Sequence, residues 1–167
     1  MSANVYPSLG HVLITGGCGF LGHHVVRLIL EKHPQSRISV LDLNTTRNRI
    51  SSPSVTYHDG DLTNLDLLRE IFGKLKPNVV IHTASPHFNL GREILYAVNV
   101  TGTKQLLTAS QEAGVKAFVY TSSASVVMDN EMKLVNADER WPIQLGKSQP
   151  EYYSETKVCC YPRVLLN

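Results

Sequence analysis

The sequence is poor in cysteine. It has three, Cys18, Cys159 and Cys160, and an odd count with one adjacent pair excludes a disulfide framework. Nor do these residues show the paired spacing of a metal site, so no metal is expected. Reduced thiols in a reducing compartment are the plain expectation. Charge of one sign is scarce as well. Sixteen lysines and arginines against 14 aspartates and glutamates leave a net charge of +2, and the basic residues are scattered, which excludes nucleic-acid binding through a basic patch. No run approaches the ~20 apolar residues that a membrane span needs. Met1–Gly10 has no basic stretch leading into an apolar one, so no secretory signal is read there. No repeat or low-complexity tract breaks the chain. What is present is an ordinary soluble composition, 43% hydrophobic and 18% charged over 167 residues. That suffices for one domain with a real core over residues 1–167.

Apolar runs of strand length alternate with longer stretches of helical spacing. His11–Thr15 (HVLIT) predicts a first strand ending in glycines. Phe20–Lys32 follows with Leu21, Val25, Leu28 and Ile29 at helical spacing, and Pro34 closes it. Ile38–Leu43, Val55–His58, Val79–Thr83 and Ala117–Ser122 predict further strands. Leu65–Leu75 predicts a helix capped by Asn64 or Thr63. Arg92–Ala113 predicts a long helix stopped by Gly114. Asp129–Gln149 reads as a polar loop, and Glu151–Lys157 begins a last helix. Such alternation implies an α/β fold, a parallel sheet with helices on both faces.

Between the first strand and the first helix the chain reads TGGCGFLG, which places Gly16, Gly19 and Gly22 in a G-x-x-G-x-x-G pattern. Gly16 permits a tight turn, Gly19 lets backbone approach a pyrophosphate, and Gly22 lets the helix pack closely on the sheet. The helix start, with Phe20 and Leu21, offers free N–H groups to phosphates. Asp42 ends the second strand and is placed to accept hydrogen bonds from both hydroxyls of an adenosine ribose. It would repel a 2′-phosphate, which favours NAD over NADP. Arg47 and Arg49 follow closely; they pair with such a phosphate or, on the preferred reading, are solvated loop charges.

These residues resemble the Rossmann domain of the short-chain dehydrogenases/reductases of the extended type, and other motifs of that family follow in order. DGDL places Asp61 and Leu62 where the family meets the adenine ring. HTASP places Thr83 and Ala84 along the cofactor, and NVTGT places Asn99 in the subfamily's helix motif, near the catalytic lysine. YTSSASV carries Ser123 and YSETK carries Tyr153 and Lys157, the family's Ser–Tyr–Lys set. Within it the chain resembles the 3β-hydroxysteroid dehydrogenases, on GGCGFLGHH, HTASP, VYTSSASVV, NADERWPI and YYSETK. It is most similar to the branch that oxidises and decarboxylates 4α-carboxysterols. The resemblance implies an NAD- or NADP-dependent oxidoreductase of sterol biosynthesis. It also implies a sterol or steroid-like substrate, peripheral attachment at the endoplasmic reticulum membrane beside other sterol C4-demethylation proteins, and a homodimer.

The chemistry fits the residue types. Oxidising an alcohol removes the hydroxyl proton as hydride leaves the carbon. A phenol's pKa of about 10 is high for a base near neutrality. A lysine four residues on shares its helix face and stabilises the phenolate. Tyr153 is then the general base, Lys157 its electrostatic partner and a holder of the nicotinamide ribose, and Ser123 the donor that orients the substrate oxygen. Tyr152 is the neighbouring competitor, but only Tyr153 lies four before Lys157.

After Lys157 the chain departs from the family. VCCYPRVLLN replaces a continuing helix, and Pro162 is expected to break it. The family's later strands and substrate domain do not follow. A truncated product is therefore expected, with apolar surface exposed on the fifth strand and a substrate pocket of one wall. Two further readings stand: a steroid or meroterpenoid dehydrogenase of secondary metabolism, and a nucleotide-binding module without catalysis.

Overall fold

A computed structural model of the chain describes residues 6–138 and 140–159. Cys160 and the helix break at Pro162 lie outside the described residues. The chain forms two compact units, Met1–Ala84 with Gln105–Thr121 and Ser85–Lys104 with Ser122–Asn167.

The first unit is built on β1 (His11–Thr15), β2 (Arg37–Asp42), β3 (Val55–Asp59), β4 (Val79–His82) and β5 (Ala117–Tyr120). All pairs are parallel, in the order β3-β2-β1-β4-β5. Helices α1 (Phe20–Lys32) and α2 (Leu65–Leu75) connect strands. Between β4 and β5 run α3 (Arg92–Leu95), a π-helical stretch Tyr96–Gly102 and α4 (Thr103–Glu112). This is the doubly wound order, whose direction reverses between β1 and β4; ligands of such sheets bind at that switch point, beyond the carboxyl ends of the strands.

Period-two alternation sorts the strand residues onto two faces. Val12, Ile14, Ile38 and Val40 pack with Val26 and Ile29 of α1. Leu13, Leu41 and Val80 pack with Leu68, Ile71 and Phe72 of α2 and with Leu106 and Ala109 of α4. Each such side chain contributes about 1.5–3 kcal/mol on burial. Central β1 is buried on both faces, which is why it reads as an unbroken apolar run. The buried face of α1 is Gly22, Val26 and Ile29. Leu21 and Leu28, which helical spacing alone put on that face, are 47% and 55% exposed. The face is set by Gly22, where the helix meets the turn. Asn64 caps α2, its side chain accepting from the Leu67 N–H at 3.1 Å. Gly114 ends α4 at φ +69°, and the Val115 N–H reaches the Ser110 carbonyl at 3.0 Å. On β5 Val119 is 51% exposed, the apolar exposure expected of that strand.

In the second unit α5 (Tyr152–Val158) packs against α3, the π-helical stretch and a 3₁₀ turn at Ala124–Val127. The expected unbroken helix Arg92–Ala113 is corrected here. Seven of its residues, Tyr96–Gly102, form a π-helix, a wider turn that re-aims side chains and recurs at functional sites. Asn99 lies within it, 1% exposed. The polar stretch Asp129–Gln149 carries only a second 3₁₀ turn, Gly146–Ser148, among its described residues.

Candidate active site

In the first unit Asp42, Thr83 and Ala84 lie beside the β1–α1 turn that carries Gly16, Gly19 and Gly22. Gly16 has φ +72°, and a Cβ there would come within 2.6 Å of Ala84 Cα. A Cβ on Gly22 would lie 2.2 Å from the Gly16 carbonyl oxygen. Gly17, which the motif reading passed over, is required too, because a Cβ would meet the Val40 side chain at 2.6 Å. Gly19 differs. Only the Gly16 oxygen, at 3.2 Å, lies near its absent Cβ, so the open space it leaves faces outward. The first-turn N–H groups of α1 have no acceptor within the helix. Phe20 stands beside them, 83% exposed. Glycine, free amides and a helix N-terminus together suit a pyrophosphate.

Asp42 is held against this turn. Its carboxylate accepts the Cys18 N–H at 3.0 Å, and the Asn48 side-chain amide donates to the Cys18 carbonyl at 2.8 Å. Burial and the Asp42 charge push the Cys18 thiol up, so it stays protonated. Arg49 lies over the Tyr57 ring at 4.5 Å, and Arg47 is exposed. The Thr83 hydroxyl donates to the Thr15 carbonyl at 2.7 Å, fixing the β4 end beside β1. Asp61 turns its carboxylate to the Thr63 N–H at 2.8 Å. Leu62 packs into the sheet core, 6% exposed.

The second unit gathers Ser123, Tyr153, Lys157 and Asn99. Lys157 is 3% exposed, and its ammonium lies 5.8 Å from the centre of the Tyr153 ring. Tyr152 turns elsewhere, under the Arg92 guanidinium at 3.9 Å. Ser123 caps the 3₁₀ turn, accepting the Ser125 N–H at 3.2 Å. Its hydroxyl oxygen is 2.7 Å from that of Ser125. The Ser154 hydroxyl donates to Ser125 at 2.7 Å, which leaves the Ser125 proton available to Ser123. When the Ser125 hydroxyl donates to Ser123 in this way, Ser123 keeps its own proton to donate. Asn99 accepts from the Ser85 hydroxyl at 3.0 Å and donates to the Thr156 hydroxyl at 3.0 Å. Thr156 in turn donates to the Tyr153 carbonyl at 2.6 Å. Asn99 therefore ties the π-helix to the backbone of the Tyr–Lys helix.

Ser125, Ser154, Thr156 and Ser85 were not picked out from the sequence. A lone hydroxyl residue carries no spacing signal, and the only hint is Ser125 two positions after a serine cap. Among the described residues no cluster of metal-ligating side chains occurs, and no helix is long and apolar enough to cross a membrane.

Comparison with known proteins is consistent across sequence and structure. Residues 13–166 match the 3-beta hydroxysteroid dehydrogenase/isomerase family. The chain is 38% identical, over 95% of its length, to a decarboxylating sterol-4-alpha-carboxylate 3-dehydrogenase of Candida albicans, covering 46% of that protein. For the enzyme of the same name from Saccharomyces cerevisiae the identity is 36% over 92% of the chain, covering 45% of that protein. The chain thus spans about half the length of these relatives. Among solved structures, it superposes on the Thermus thermophilus UDP-glucose 4-epimerase complex with NAD at a TM-score of 0.78, with 26% identity, covering 93% of this chain and 50% of that one. The fold is also that of the Bordetella bronchiseptica enzyme WbmG, TM-score 0.80 and 23% identity over 94% of this chain and 49% of that one.

Proposed function

The chain belongs to the 3-beta hydroxysteroid dehydrogenase/isomerase family, and on that premise we propose that it is the NAD-binding domain of a dehydrogenase acting on the 3β-hydroxyl of a 4α-carboxysterol. The observation that carries the proposal is the second unit's cluster. A buried lysine sits one helical turn from a tyrosine, and a serine hydroxyl is tied to the same helix through Ser125 and Ser154. The relatives' names supply the sterol carboxylate.

In this reading Tyr153 takes the hydroxyl proton, Lys157 stabilises the phenolate, and Ser123 donates to the substrate oxygen. NAD, when bound, would supply the hydride acceptor. Gly16, Gly19, Phe20, Leu21 and Gly22 hold its pyrophosphate, Asp42 its adenosine ribose, and Thr83 and Ala84 flank it. Asp61 and Leu62 meet the adenine, while Lys157 reaches the nicotinamide ribose. Asn99 positions the Tyr–Lys helix. The ketone formed next to the carboxyl-bearing carbon is the electron sink for loss of CO₂, so no further catalytic group is needed. Work at the endoplasmic reticulum membrane, beside the other proteins of sterol C4-demethylation, accords with such a substrate.

The test is NADH formation, followed by absorbance, when the protein meets a 4α-carboxy-3β-hydroxysterol and NAD⁺. Equimolar NADH and CO₂ support the proposal. A protein that binds NAD⁺ yet forms no NADH with any 3β-hydroxysterol refutes it.

A further inference from the structure

We infer that Arg92 is the residue that binds the substrate's carboxylate, an inference resting on the sterol dehydrogenase reading above. A cavity of about 210 Å³ is lined by Tyr153 together with Phe88, Leu90, Leu95 and Tyr152, and its charged groups are Arg92 and Glu151. Pockets that enclose a whole ligand run to ~300–1,000 Å³, so this one takes the end of a ligand. An apolar ring with a hydroxyl for Tyr153 and one ionised group suits that lining.

The geometry singles out Arg92 for the ionised group. Its guanidinium lies on the Tyr152 ring, with Cζ 3.9 Å from the ring centre. Stacking uses the planar face and leaves the N–H edge, whose fork matches a carboxylate bidentately. Among the described residues Arg92 has no carboxylate within ion-pairing distance. Glu151, the acid of the same wall, lies 3.4 Å from the Ser154 hydroxyl, which makes its shorter bond, 2.7 Å, to Ser125. In a 4α-carboxysterol the carboxyl is borne by C4, the neighbour of the C3 whose hydroxyl meets Tyr153. One small cavity that holds both a base and an unpaired guanidinium therefore answers to both groups. Two adjacent tyrosines then have separate tasks: Tyr153 takes the proton, and Tyr152 is the platform for Arg92.

The test compares a 4α-carboxy-3β-hydroxysterol with the same sterol lacking the carboxyl, by steady-state oxidation and by equilibrium binding in the presence of NAD⁺. Arg92→Gln should lower the carboxylated-to-uncarboxylated ratio of kcat/KM by roughly 10- to 100-fold, the range for hydrogen bonds to a charged group. The loss should fall mainly on KM and on the binding constant. Arg92→Lys, which keeps the charge without the fork, should lie between, and Arg92→Met should match Gln if the Gln variant folds poorly. An unchanged ratio in a variant that unfolds like the wild type overturns the assignment and leaves the dehydrogenase reading standing. A wild-type protein that oxidises neither sterol overturns that reading, and the inference with it.

Discussion

The residues that would hold the nucleotide and those that would move the proton are assembled differently. In the first unit the glycines that would hold the pyrophosphate lie in one turn and the start of the helix after it, and the close packing around that turn dictates them. Gly16, Gly17 and Gly22 are fixed by what a Cβ would strike. In the second unit the working side chains come from segments distant in sequence, and hydroxyl groups link them. Ser123 reaches α5 through Ser125 and Ser154, and Asn99 reaches it through Thr156. A backbone-built site tolerates little change in shape. A side-chain-built site tolerates little change in chemistry.

That difference sets the expected responses to substitution. Tyr153→Phe removes one oxygen from the second unit and should lower kcat by ~10²–10⁴. Because the change leaves the glycine turn alone, the thermal midpoint should hold. A near-normal rate would remove Tyr153 from the base role.

Gly22→Ala makes the opposite demand. It adds one methyl group 2.2 Å from a backbone oxygen and should cost about 1–3 kcal/mol, as overpacking does. The rise in thermal midpoint on adding NAD⁺ should disappear with it. Retention of both would mean that the turn is looser than the backbone geometry states.

Ser154→Ala probes the hydroxyl chain. With the Ser154 hydroxyl gone, the Ser123–Ser125 pair loses its link to α5. The expected loss in kcat is about tenfold, the worth of one hydrogen bond, with KM little changed and recovery in Ser154→Thr. Equal losses in kcat and in thermal stability, without recovery, would make Ser154 a packing residue only.

The smallest effect belongs to the first unit and reads its core. His11 is buried between the Leu75 carbonyl, 2.8 Å from Nδ1, and the Ser39 hydroxyl, 2.9 Å from Nε2. Burial, with the nearby Arg37 charge, lowers its pKa from the ordinary 6.5, against the pull of the Leu75 carbonyl. The unfolded chain therefore takes up this proton first. The stability due to the neutral ring is complete above the unfolded pKa and is lost as pH falls below it. Unfolding midpoints recorded from pH 7.5 down to 5.5 should fall, and His11→Gln should flatten the slope. His58, lowered by burial too, adds in the same direction.

How much could be read in advance follows the same division. The ends of α1 and α2 and the place of every strand are written in local signals: a glycine turn, an Asn cap, apolar runs of strand length. The motifs proposed for the nucleotide are local signals too, and Asp42, Thr83 and Ala84 lie beside the glycine turn. The π-helical stretch Tyr96–Gly102 was read as ordinary helix, since its residues carry no proline or other break. The helical spacing of α1 is legible, but which of its faces is buried is not, because Gly22, without a side chain, has no hydrophobic signal. The motifs that carry Ser123, Tyr153 and Lys157 are legible through their order, and the roles proposed for these residues rest on it. Their supports Ser125, Ser154 and Thr156 were not, because a hydroxyl acquires meaning only from the partner that the fold brings to it.

The central claim is that the β1–α1 turn and Asp42 hold NAD. Thermal unfolding with NAD⁺ and with NADP⁺ tests it most directly, because a ligand that binds only the native state adds about 2.7 kcal/mol at a hundredfold excess over Kd. The account predicts a cooperative transition that NAD⁺ raises, and raises more than NADP⁺ does, with the difference lost in Asp42→Ala. A larger rise with NADP⁺, or no rise with either, would contradict it.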